Sequence, residues 1–134
     1  MSISLTDKDD TLENAAILIV DDEENLLLLL ERILSKQGYQ VVTAQNSHDA
    51  LALTKKRVFR LAILDIKMFP LDGVGLLHEI KSRCPSTEVI MITAYPTADT
   101  RTECLNMGAS TYLTKPVDLQ ELTSAVKSLM AHRN

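Results

Sequence analysis

Four short apolar runs, each halted by a polar residue able to handle phosphate or metal, constrain this chain more than any other feature. Ile17-Leu18-Ile19-Val20 stops at Asp21-Asp22, and Leu61-Ala62-Ile63-Leu64 stops at Asp65. Val89-Ile90-Met91-Ile92 stops at Thr93, and Thr111-Tyr112-Leu113-Thr114 stops at Lys115-Pro116. The first three are almost purely aliphatic, as strands are when helices cover both faces of a sheet. If all four are parallel strands, three carboxylates, a hydroxyl and an ammonium meet at one sheet edge. Open α/β sheets bind their ligands at that edge.

Between the runs the periodicity turns helical, the alternation of βαβ units. Glu23 to Gln37 reads as a helix. Glu23 and Glu24 suit its N-terminus, where the backbone dipole is positive, and Gly38 is a natural left-handed cap beyond it. Gln40 to Ala44 is a second strand, and Asn46 or Ser47 can cap a helix running to about Arg57. Lys67 to Asp72 is a loop marked by Pro70 and Asp72-Gly73. A third helix follows to about Ser82, and Pro85 prevents its continuation. Pro96 and Thr97 open a fourth helix ending at Met107-Gly108, and Tyr112 to Thr114 is a short fifth strand. Asp118, with Glu121 three residues on, resembles a capping box for a last helix to about Ala131. Right-handed crossovers then give an α/β, doubly wound parallel sheet of order 2-1-3-4-5. One domain spans residues 15–134, and residues 1–14, polar and acidic, read as a flexible N-terminal tail.

Composition narrows the classes. A chain of 134 residues can bury a core unaided, and with aromatics at 4% that core is aliphatic. The net charge of -4 argues against nucleic-acid contact, which needs clustered Lys and Arg. No run reaches membrane-spanning length and no signal-peptide pattern opens the chain, so a cytoplasmic location is expected. Cys84 and Cys104 do not make a disulfide framework and read as free thiols. His48, His78 and His132 lack zinc spacing and read as surface residues. In the run Leu26 to Leu30, the residues Leu26, Leu27 and Leu30 join Ile33 and Leu34 in one helical stripe, while Leu28 and Leu29 fall off it. Those two are either isolated exposed residues or part of a docking patch.

Carboxylates as close as Asp21, Asp22 and Asp65 would raise one another's pKa unless a cation intervenes. A hard divalent ion resolves the conflict, and Mg2+ fits because it takes few carboxylates and accepts phosphate oxygens. For phosphoryl transfer one carboxylate must be the nucleophile. Asp65, alone at the end of a central strand, is the candidate; Asp21 and Asp22 are then metal ligands. Lys115 would neutralise phosphoryl oxygens, and Thr93 would donate a hydrogen bond to one of them.

With these residues in view, the chain resembles the receiver domains of two-component response regulators. The matching stretches are Ile17 to Glu23, Leu64 to Met68 with Asp72-Gly73, Ile92 to Tyr95, Gly108-Ala109 and Tyr112 to Pro116, within Ala16 to Ala131. The resemblance implies a flavodoxin-like (βα)5 fold and an Asp65 that accepts a phosphoryl group from a sensor histidine kinase or histidine phosphotransfer protein, with Mg2+ required. It also implies that Asp22 is the direct metal ligand, that Asp21 acts largely through water and that the Lys67 backbone carbonyl is a further ligand. Thr93 and Tyr112 resemble the switch pair, and Lys115-Pro116 the bond that is usually cis. Lys67 and Tyr95 stand where the family tunes phosphoryl lifetime, and the bulk of Tyr95 leads us to expect slow self-dephosphorylation. The chain departs from the family at Phe69, where proline is usual; Pro70 follows instead. That puts the loop backbone in question.

Phosphorylation at Asp65 is expected to draw Thr93 and Lys115 inward and remodel the face of the fourth helix, fifth strand and fifth helix, where a partner or a second copy would dock as a homodimer. The fourth helix is poor in large apolar residues, which suits a bistable element. Beyond its own phosphorylation and dephosphorylation no enzymatic activity is expected. Three rivals remain. A hydrolase using an aspartyl-phosphate carries a second Asp two residues after the nucleophile, where this chain has Lys67. A flavin carrier would not place Asp21-Asp22 in the first strand-to-helix turn, since they repel the flavin phosphate. A pseudo-receiver would not keep the full set of three aspartates, threonine and lysine.

Overall fold

The computed structural model of the chain describes residues 16–68 and 70–131. The expected N-terminal tail, Phe69 and His132 lie outside the described residues. Strands and helices alternate: β1 (Ala16–Val20), α1 (Glu24–Lys36), β2 (Gln40–Ala44), α2 (Ser47–Lys56), β3 (Leu61–Asp65), α3 (Gly73–Arg83), β4 (Glu88–Thr93), α4 (Ala98–Asn106), β5 (Thr111–Thr114) and α5 (Leu119–Ala131). The strands form one parallel sheet in the order β2-β1-β3-β4-β5, the flavodoxin-like order expected.

Side chains alternate across each strand, and the core divides accordingly. Leu18, Val20, Ala62, Leu64, Val89 and Met91 face α2, α3 and α4. Ile17, Ile19, Leu61, Ile63, Ile90 and Ile92 face α1 and α5, which contribute Leu27, Leu30 and Leu34, and Leu122, Val126 and Met130. Truncating one such leucine costs roughly 2–5 kcal/mol. Leu28 and Leu29, off the stripe, are 54% and 43% exposed.

The helix starts follow from their caps. Asn46 caps α2, its Oδ1 accepting from the Asp49 N–H at 2.8 Å; the expected choice between Asn46 and Ser47 thus falls to the asparagine. Asp72 and Thr97 cap α3 and α4 in the same way, and the Glu121 N–H donates to Asp118 Oδ1 at 3.0 Å. At α1 the N-cap position is Glu23, which makes no side-chain cap bond. Gly38 and Gly108 have φ of 98° and 104°, the left-handed region that favours glycine.

The edge at which strands begin is closed by mutual hydrogen bonds. The Arg60 N–H donates to Ala16 O at 3.1 Å and the Glu88 N–H to Arg60 O at 3.0 Å. The buried Thr87 hydroxyl donates to Phe59 O at 2.8 Å. Lys81 Nζ reaches Pro85 O and Thr87 O at 2.7 and 3.0 Å. Among the described residues no helix is long and apolar enough to cross a membrane.

Candidate functional site

Because the strands are parallel, all end at the opposite edge. β3 ends in Asp65 and β4 in Thr93, while Asp21 and Lys115 directly follow β1 and β5. The Lys115 N–H donates to Thr93 O at 2.8 Å, and the Lys115–Pro116 bond is cis. Carboxylate oxygens of Asp21, Asp22 and Asp65 lie within 4.8 Å of one another. Lys115 Nζ stands 3.0 Å from Asp21 Oδ2 and 3.4 Å from Asp65 Oδ2.

Depth differs among the three acids. Asp21 and Asp65 are 2% and 4% exposed, whereas Asp22 faces solvent. Both Asp21 oxygens are engaged, Oδ1 by the Glu23 N–H at 2.8 Å and Oδ2 by Lys115. Glu23 adds a fourth carboxylate, 3.5 Å from Lys115. In the sequence Glu23 reads as a residue suited to a helix start and as the end of the Ile17 to Glu23 stretch; a third acid directly after Asp21-Asp22 is the signal for its place beside Lys115. Asp65 is held from behind by α3. Its carbonyl oxygen would lie 2.3 Å from a Cβ at Gly73, so only glycine lets the helix approach so closely.

Around this cluster stand the remaining residues singled out from sequence. Thr93 is buried, and its Oγ1 accepts from the Tyr95 N–H at 3.0 Å. The Tyr95 ring is exposed, with Lys67 Nζ 5.0 Å from its centroid, so the two side chains meet between the loops that follow β3 and β4. Tyr112 is buried, its ring 5.8 Å from the Arg101 guanidinium carbon. His48 and His78 are exposed.

Burial pushes the Asp65 carboxyl up to about 6, and the neighbouring Asp21 charge adds to the rise. Burial also raises Asp21, outweighing its bonds to Glu23 and Lys115. For Lys115, burial works against the charge, but Asp21 and Asp65 outweigh it and hold the ammonium above its ordinary range. A single ammonium among these acids leaves an excess of negative charge. A hard cation with oxygen ligands relieves that excess, and the donor set fits one.

The family model of the response regulator receiver domain matches residues 17–127. The transcriptional regulatory protein ZraR of Salmonella typhimurium is 37% identical over 116 residues, which are 87% of this chain and 26% of that protein. The sporulation initiation phosphotransferase F of Bacillus subtilis is 37% identical over 117 residues, 87% of this chain and 94% of that one. The chain thus spans about a quarter of the ZraR relatives and nearly all of the Bacillus one. Among solved structures, a CheY-like receiver domain protein from Methanospirillum hungatei superposes with a TM-score of 0.83 at 34% identity, covering 87% of this chain and 93% of that one. The beryllofluoride-activated NtrC4 receiver domain dimer gives 0.83 at 32% identity, covering 87% and 97%.

Proposed function

The chain belongs to the response regulator receiver domain family, and we propose that within it Asp65 accepts a phosphoryl group from a phosphohistidine on a sensor kinase or histidine phosphotransfer protein. The observation that carries this reading is the position of the Asp65 carboxylate, recessed, 3.4 Å from Lys115 and grouped with Asp21 and Asp22. An oxygen of Asp65 bonds to phosphorus as the imidazole N–P bond breaks, and the imidazole leaves with the electron pair. Lys115 turns from the acids to the phosphoryl oxygens, and the Thr93 hydroxyl donates to one of them.

Mg2+ would supply the positive charge that lets acids and phosphoryl group share one pocket. Asp22, Asp65 and the Lys67 carbonyl would hold it. The engagement of both Asp21 oxygens favours Asp22 as the direct carboxylate ligand and leaves Asp21 an indirect role. The receiver unit covers residues 15–134 and works in the cytoplasm, its chemistry confined to its own phosphorylation and dephosphorylation. A groove of about 490 Å³ opens beside Lys115 between Leu26, Leu29, Ala94 and Pro116. It offers the phosphodonor's histidine-bearing segment an apolar seat.

The signal leaves through α4, β5 and α5. Helix α4 buries Cys104 alone, so a shift of Thr93 and Tyr112 has little packing to overcome. That face docks an effector or a second receiver. Lys67 and Tyr95 together screen Asp65 from water and lengthen the phosphoryl lifetime. Incubation with a small acyl-phosphate donor and Mg2+, followed by intact mass, tests the assignment. Native protein gains one phosphoryl group and Asp65→Asn gains none; equal gain by both rejects it. Amide exchange with an acyl-phosphate mimic tests the output face, and equal protection across residues 93–118 refutes it.

A further inference from the structure

We propose that Ser47 is a positioning residue for the metal site: from the first turn of α2 its hydroxyl fixes the loop after β3, and through it the Lys67 carbonyl. This rests on the reading of that carbonyl as a metal ligand. Ser47 is 0% exposed and is not the helix cap, a role taken by Asn46. A buried hydroxyl needs a partner, and Ser47 Oγ accepts from the Leu71 N–H at 2.8 Å, across 24 residues of chain.

That bond joins other ties among the described residues of the loop after β3. The Gly73 N–H donates to Ile66 O at 2.7 Å and closes its neck. Asp72 Oδ1 accepts from the Gly75 N–H at 2.9 Å, and Met68 is buried in the core. Leu71 lies so close to Gly75 that a Cβ there would meet its Cδ1 at 2.5 Å. Lys67 sits between the neck and Met68, with its own side chain turned toward Tyr95. Its carbonyl therefore takes its direction from the loop on either side. Pro70 has no N–H to offer, so Leu71 supplies the tie on the C-terminal side. Without Oγ the Leu71 N–H has no acceptor there, and the loop shifts to find one.

Calorimetric titration of the full chain with MgCl2, paired with amide exchange in EDTA, tests this on native protein, Ser47→Ala and Ser47→Thr. In Ser47→Ala the Mg2+ Kd rises ~10-fold, the usual scale for losing a group that orients a ligand. The Leu71 amide exchanges faster while β1 and β3 keep native protection, and Ser47→Thr, which retains the oxygen, behaves as native. An unchanged Mg2+ Kd in Ser47→Ala overturns the proposal. So does equal loss in both variants, or faster exchange throughout β1 and β3. If native protein takes up no Mg2+, or Asp65→Asn binds it as well as native, the underlying reading fails and takes the inference with it. Native binding with a normal Ser47→Ala variant defeats the inference alone.

Discussion

The two ends of the same five strands are built on opposite terms. Where strands begin, polar groups answer one another: Thr87 to Phe59, Lys81 to Pro85 and Thr87, Arg60 to Ala16. Where strands end, three carboxylates crowd within 4.8 Å, and one half-buried ammonium serves two of them and Glu23. One end is electrostatically satisfied and stabilises the fold. The other holds like charges together and is completed only by what it binds. The fold can carry that conflict because the aliphatic core between the two ends does not depend on it.

The largest expected effect lies at the crowded end. In metal-free protein the folded Asp65 carboxyl titrates near 6, above its ordinary 3.8. Its contribution to stability is therefore complete below the lower value and is lost as pH rises through the upper one. Asp65→Asn removes that loss, so in EDTA it should exceed native stability at neutral pH by on the order of 3 kcal/mol, the two converging near pH 4. Urea denaturation across that range measures it; a variant no more stable than native at pH 7 abolishes the contrast between the ends. Mg2+ should act next. At a hundredfold over its Kd it should stabilise native protein by ~2.7 kcal/mol and Asp65→Asn much less, read from thermal midpoints.

At the satisfied end, Thr87→Val deletes a buried hydrogen bond. It should cost about 1–2 kcal/mol at every pH, with phosphorylation by an acyl-phosphate donor unchanged. A pH-dependent loss would mean the two ends are coupled. The smallest effect is kinetic: Tyr95→Ala should speed decay of the phosphorylated form several-fold. Unchanged or slower decay in the variant removes the screening role of the ring.

Most of the fold was legible because its signals are local. Leu27, Leu30 and Leu34 share a stripe at helical spacing, and the aliphatic runs of β1, β3 and β4 announce strands covered on both faces. The gathering of Asp21, Asp65, Thr93 and Lys115 at one rim was legible for a related reason, since parallel strands put every C-terminal end on the same side. Contacts between distant segments were not. Nothing in the order of residues reveals that Ser47 reaches Leu71, or that Lys81 packs over Gly108. Local pattern also left the choice of cap between Asn46 and Ser47 open, because both side chains can accept the same bond. The expected start of the fifth strand at Tyr112 came one residue late, as Thr111 pairs with Ile90.

Gly73 decides which way a disturbance at Asp65 can travel. With hydrogen in place of a side chain, the first turn of α3 rests against the Asp65 peptide and leaves no slack behind it. Strain delivered to that peptide meets a stop on one side. On the other lies β4, leading to a helix tethered by a single buried thiol, Cys104. The mechanics would be those of a ratchet's pawl: one bare carbon backs the strand, and under the proposed switch a displacement at Asp65 would run toward α4 instead of into the scaffold.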